Sequence, residues 1–176
     1  TAITINTGAG LTSSLTNTGT INTSLTTSAD ATIVGVYIDN GSIGGALDNS
    51  GAITVMLTGT DASDLELNGY ALHTENGSTL GSISNSGTVS SKVTATSSSS
   101  SASVSAYGMY LDRTNITGAL TNSGTISGQG VGSGEEYTLV YGTGIWAYDG
   151  TTIDSLINTS AGVISGSGTA WSATSS

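Results

Sequence analysis

The chain has no cysteine, no proline and no phenylalanine, and only two basic residues besides its single histidine. Without cysteine, neither disulfides nor thiolate metal sites are open to it, and redox compartment has to be inferred by other means. Without proline, nothing interrupts a backbone ladder. Without phenylalanine, and with few large apolar side chains of any kind, a two-layer globule could not fill its centre. Lys92 and Arg113 stand against 12 acidic residues, for a formal charge of −10. That balance excludes nucleic acid, which is bound by neutralising phosphates, and disfavours anionic membrane surfaces. No stretch approaches the roughly 18 apolar residues of a membrane helix, so no direct membrane insertion is expected. The first residues, TAITINTGAG, have neither the basic start nor the apolar run of a signal peptide. The expectation is a soluble, mature segment cut from a longer chain.

What fills the 176 residues is threonine, serine, asparagine and 26 glycines. Such polar, low-complexity chains are often disordered, because they bury too little apolar surface to offset the entropy of ordering. Here mean hydropathy is slightly positive, at +0.12, and only 8% of residues are charged. Isoleucine, leucine and valine also recur at fixed places. The abundance of threonine, isoleucine and valine suits pleated structure. A thin, regular core lined by strands is expected.

The recurrence is an internal repeat. SLTNTGTIN from Ser14, ALDNSGAIT from Ala46, SISNSGTVS from Ser82 and ALTNSGTIS from Ala119 are followed by a looser copy, SLINTSAGVIS, from Ser155. Their asparagines, Asn17, Asn49, Asn85, Asn122 and Asn158, are spaced by 32, 36, 37 and 36 residues. The likeness extends upstream, in GVYIDNGSIGGAL from Gly35, ALHTENGSTLGSI from Ala71, GMYLDRTNITGAL from Gly108 and GIWAYDGTTIDSL from Gly144. Within a copy Val36 and Ile38, or Met109 and Leu111, share one face, while Tyr37 and Tyr110 point the other way, the period of two of a strand. Asn40-Gly41, Asn76-Gly77 and Asp149-Gly150 supply turn chemistry after it. One copy cannot bury its own apolar face; stacking copies at about 4.8 Å sets every strand over its equivalent.

The fold expected is therefore all-β, a right-handed parallel β-helix of about five rungs and one domain over residues 1–176. Ile43, Leu47, Ile53 and their equivalents should fill a continuous core. A period near 36 is long for one turn. The excess, which includes Thr60-Asp61, the Ser97 to Ser101 run and Gly132-Ser133-Gly134, is expected to form a third wall ending in loops that project from one side. The repeat starts in mid-copy at Thr1, and GSGTAWSATSS after Ile164 looks like the opening of another copy. Both features suggest a fragment of a longer array, whose end rungs would expose unpaired strand edges.

Several residues are candidates for more than architecture. The five asparagines should turn their amides into the corner and form a structural ladder, since unpaired buried amides are costly. Tyr37, His73, Tyr110 and Trp146 form an outward aromatic column, a candidate recognition surface for sugars or another fibre. Asp39, Glu75 and Asp112, with Asp149 one residue out of line, make an acidic column. It is a calcium candidate, but one without the glycine-rich nonapeptide of calcium-binding solenoids. No cofactor is called for, and nothing nominates a catalytic residue, because the lone His73 holds a position that is aromatic in the other copies. Acids are too sparse and bases too few for a polysaccharide-cleaving groove. Nor do the threonines repeat in sequence as the two-column array of an ice-binding face.

These residues resemble the large passenger domains of bacterial autotransporters (type V secretion), whose repeats carry Asn-Ser-Gly-Thr-Ile corners and Gly-hydrophobic-Tyr strands. The resemblance covers nearly the whole chain and implies a Gram-negative extracellular or cell-surface location, export through an outer-membrane barrel, and roles in adhesion, biofilm or surface coating. The function expected is a structural component of a surface fibre or adhesin, not an enzyme. Its partner would be itself, by axial stacking or chain continuation. A glycan-binding module using the aromatic column is the alternative.

Overall fold

The computed structural model describes residues 1–61, 63–98 and 100–172. In chain order the strands are β1 (Ile3–Ile5), β2 (Gly10–Leu11), β3 (Leu15–Asn17), β4 (Thr20–Thr27), β5 (Ala31–Asp39), β6 (Ser42–Asn49), β7 (Ala52–Asp61) and β8 (Leu65–Glu75). There follow β9 (Thr79–Asn85), β10 (Thr88–Ser97), β11 (Ala102–Asp112), β12 (Asn115–Asn122), β13 (Thr125–Gly134), β14 (Thr138–Tyr148), β15 (Thr152–Asn158) and β16 (Val163–Ser172). They form three parallel walls: β1-β5-β8-β11-β14, then β2 and β3 on β6-β9-β12-β15, then β4-β7-β10-β13-β16. The chain visits the walls in rotation, making a β-solenoid of about five turns with the spacing seen in sequence.

Inward residues alternate along most of each strand and stack across turns. Ile43 lies over Leu80, which lies over Ile116; Leu47, Ile83 and Leu120 form the next column, and Ile53, Val89 and Ile126 a third. All nine are buried. Each contributes about 1.5–3 kcal/mol through the apolar surface it removes from water. Parallel sheets are ordinarily covered on both faces by helices. Here one coil closes all three walls on a single core, leaving every outer face to solvent.

The corners have two kinds of chemistry. Between the first and second walls Asn40, Asn76, Arg113 and Asp149 take positive φ, at 47°, 58°, 46° and 36°. Asparagine and aspartate tolerate this conformation; Arg113 does not by nature, and its guanidinium is tied to Asp112 and Asn76. Between the second and third walls the backbones of neighbouring turns come into close contact. A Cβ on Gly87 would overlap the carbonyl oxygen of Gly51, so the Asn-Ser-Gly corner needs glycine for close approach.

The excess length forms the third wall expected, and its strands run on into the residues expected at the loop tips. Thr60-Asp61 ends β7, Ser97 ends β10, and Gly132-Ser133-Gly134 ends β13. Only short connections remain at the tips; Ser99 of the serine run lies outside the described residues. In this outer arm the first and third walls pack directly face to face. Gly69 has no room for a side chain beside Val93 and Ser91, whose hydroxyl donates to the Gly69 carbonyl at 2.9 Å. The residues after Ile164 also differ from expectation. They continue as β16, in register with β13 from Gly166↔Gly128 to Ser172↔Gly134, and so complete the third wall of the fifth turn rather than open another copy. Residues 173–176 lie outside the described residues.

Leu120 tests the inward face. It is fully buried in the column of Leu47 and Ile83. Leu120→Ala should cost about 2–5 kcal/mol, and Leu120→Asp, which buries an unpaired charge, should abolish the cooperative melt. Circular dichroism melting curves check both, and a parent-like melt for the aspartate variant would place Leu120 outside the core.

Candidate functional site: the stacked side-chain ladders

Because each residue sits over its counterpart, polar side chains at one position become a column. Asn17, Asn49, Asn85, Asn122 and Asn158 are in strict register. Each Nδ2 donates to the next Oδ1, at 2.7, 2.7, 2.7 and 2.8 Å. The same Nδ2 also donates to a backbone carbonyl one turn on, of Ala52, Thr88, Thr125 and Val163 in succession. Asn49, Asn85 and Asn122 are buried, and these bonds satisfy groups that would otherwise be stranded. The role is cohesive: the amides stitch turn to turn.

The acidic residues do not act together. Asp39 Oδ1 accepts from Asn76 Nδ2 at 2.8 Å, Glu75 Oε1 accepts from the Tyr37 hydroxyl, and Asp112 Oδ2 accepts from Arg113 Nη2 at 3.0 Å. Arg113 Nε also lies 3.9 Å from Asp149 Oδ2. The column itself runs on to Tyr148, which pairs with Asp112, leaving Asp149 outside it in the turn. Among the described residues no three histidine, aspartate or glutamate side chains gather closely enough to hold a metal ion.

Tyr37, His73, Tyr110 and Trp146 are in register, each over the next. A second aromatic column, which strict alternation does not foresee, stands beside them: Tyr70 over Tyr107, continued by Val34 and Thr143. It arises from a bend. In β11 the inward residues are Ala102, Val104 and Ala106, and then Met109 and Leu111, so alternation slips by one residue around Gly108. Tyr107 and Tyr110, three apart, therefore both face outward. Tyr70 stacks on Tyr107 with ring centroids 5.4 Å apart and 5° between planes, and on His73 at 4.7 Å; Tyr110 meets His73 edge-on at 5.1 Å. The ring faces are thus largely taken by neighbouring rings. Trp146, 41% exposed, is the most open member of the shelf.

Burial dominates the electrostatics here. It pushes the Tyr70 phenol up to about 12, and raises Tyr107 and Tyr110 also. Tyr37 is raised by burial and by its bond to Glu75. His73 is held below its ordinary 6.5 by burial, against the opposing pull of Glu75, Asp112 and Asp39. Its Nε2 lies 3.5 Å from Glu75 Oε2 and makes no hydrogen bond. The imidazole therefore serves as a neutral ring within a stack.

Threonine columns exist but are broken. Thr26, Thr58 and Thr94 share theirs with Val131 and Thr169, and Thr60 and Thr96 stack on Ser133 and Trp171. Comparison of the chain with protein-family models, with curated proteins and with solved structures finds no match in any of the three.

Two outcomes are expected. Asn85→Ala should lower stability by about 1–3 kcal/mol, because it strands the Asn49 and Asn122 amides; denaturant unfolding measures it, and a neutral result would mean that the ladder is dispensable. A neutral, buried His73 implies that the unfolded chain binds a proton which the folded chain refuses between the lowered folded value and about 6.5. Stability should therefore be complete above about 6.5 and fall as pH drops through that window, with the slope lost in His73→Gln. An imidazole titration by NMR with a midpoint at or above 6.5 would contradict this.

Proposed function

We propose that the chain is a structural segment of an extracellular surface fibre or adhesin of a Gram-negative bacterium, without catalysis, of the kind formed by autotransporter passengers. The supporting observation is that each turn offers the next the same three ladders, the same amide column and the same apolar columns beside it, those of Leu47 and Ile53. β14, β15 and β16 repeat this pattern: Leu156 stands in the column of Leu120 and Ile164 in that of Ile126. The partner is self, as further rungs of one chain or as another copy stacked head to tail, an arrangement that does not close and so propagates.

The carboxylates engaged by Asn76, Tyr37 and Arg113, and the amides engaged with one another, support a load-carrying reading over a chemical one. Glycan recognition on the aromatic column is the weaker alternative, since stacking occupies most of its faces.

Sedimentation of the 176-residue chain across micromolar concentrations should reveal axial association, suppressed by Leu156→Lys together with Ile164→Lys. A monomer at every concentration would remove the physical support for the fibre. Antibodies raised against the chain should label intact, unpermeabilised cells; labelling only after permeabilisation would overturn the extracellular placement.

A further inference from the structure

The third wall has an outer face unlike the rest of this acidic molecule. Its outward positions are mostly threonine and serine, and the one acid on its strands, Asp61 at the end of β7, turns to the Ser63 hydroxyl at 2.8 Å. Along this face runs a groove of about 380 Å³. Thr54, Ser90 and Ser127, in register on β7, β10 and β13, form its floor. The longer Met56, Lys92 and Gln129, likewise in register, form its side. Three rungs at the spacing of a sheet give it about 10 Å of length along the solenoid axis.

We propose that this groove binds a neutral, linear polysaccharide lying along the axis. The side chains of Ser90, Lys92, Ser127 and Gln129 make no hydrogen bond or ion pair with other described residues, so their polar atoms are open to a ligand. Hydroxyls and amides both donate and accept, which suits a ligand whose own hydroxyls do both. The Met56 side chain, 52% exposed, offers a pliable apolar surface for the C–H face of a sugar ring. Charge selects against the rivals. A polyanion would meet a molecule of net charge −10 with one lysine to receive it. An extended peptide needs backbone partners, and those of β7, β10 and β13 are consumed in the ladder. The volume lies in the range of small-ligand sites. The groove is distinct from the aromatic shelf, which is on the first wall.

Saturation-transfer NMR with cellohexaose, chitohexaose and maltohexaose reports on sugar contact whether the protein is single or assembled, so its outcome is independent of the fibre reading. At least one hexasaccharide should receive saturation from the parent, and the effect should fall by about tenfold or more in Ser90→Tyr, which fills the groove floor with a good strand former. Ser127→Tyr serves as a second block, each variant being accepted only with a parent-like melt. Trp146→Ala should leave the signal intact. The proposal is overturned if no hexasaccharide receives saturation, or if Trp146→Ala removes the signal while the groove variants keep it. It is equally overturned if only a galacturonate hexamer binds and Lys92→Gln abolishes that binding.

Discussion

Each residue of this protein sits about 4.8 Å above its counterpart in the preceding turn, and nearly every other feature follows from that register. A solenoid has no second layer to bury what one turn exposes, so the neighbour above must be able to accept whatever the neighbour below presents. Like therefore stands over like. For aliphatic side chains this is simple packing, and the columns of Ile43, Leu47 and Ile53 are its result. For asparagine it is better than tolerable, because an amide carries donor and acceptor on one group and can bond to a copy of itself. For aromatic rings it gives the parallel stack of Tyr70 on Tyr107.

The same register dictates where the core must thin. Leu57 and Val93 occupy an inward column that continues as Gly130 and Gly168, and Val55 and Ser91 one that continues as Gly128 and Gly166. Along the axis the outer arm passes from side-chain packing to contact between backbones: a Cβ on Gly128 would run into the carbonyl oxygens of Ala106 and Thr143. Glycine here permits approach and supplies no apolar surface. Cohesion in the last turns rests more heavily on backbone ladders and on the amide chain from Asn122 to Asn158.

Much of this was legible in the chain. Near-constant spacing of Asn17, Asn49, Asn85 and Asn122 fixed the rung, and alternation around Val36 and Ile38 assigned the inward face. Alternation misled where the strand bends. A strict period of two sets Tyr107 and Tyr110 on opposite faces, and only the slip around Gly108 reunites them, so Tyr70 and Tyr107 were hidden from the sequence as members of the aromatic shelf. Strand length was hidden too, because serine and glycine at the ends of β10 and β13 read as loop, whereas the register with neighbouring turns holds them in the ladder. Residues of low intrinsic strand preference are kept in place by the rungs on either side. The groove on the third wall was likewise invisible, since its residues lie in different copies and share no motif.

Stacking like over like has one clear enemy, which is charge. A column of carboxylates at rung spacing would repel itself at close quarters, more strongly where burial weakens screening. The acidic column avoids this by giving each member a different partner: Asp39 takes an amide, Glu75 a phenol and Asp112 a guanidinium, and the next position is Tyr148. The displacement of Asp149 into the turn, within reach of Arg113, completes the arrangement. Register thus sets a rule about composition as well as shape: a wall can keep a long uniform column only of groups that are neutral or self-complementary. The third wall obeys that rule with hydroxyls, and for that reason it is the face that a neutral chain can approach without displacing a counter-charge.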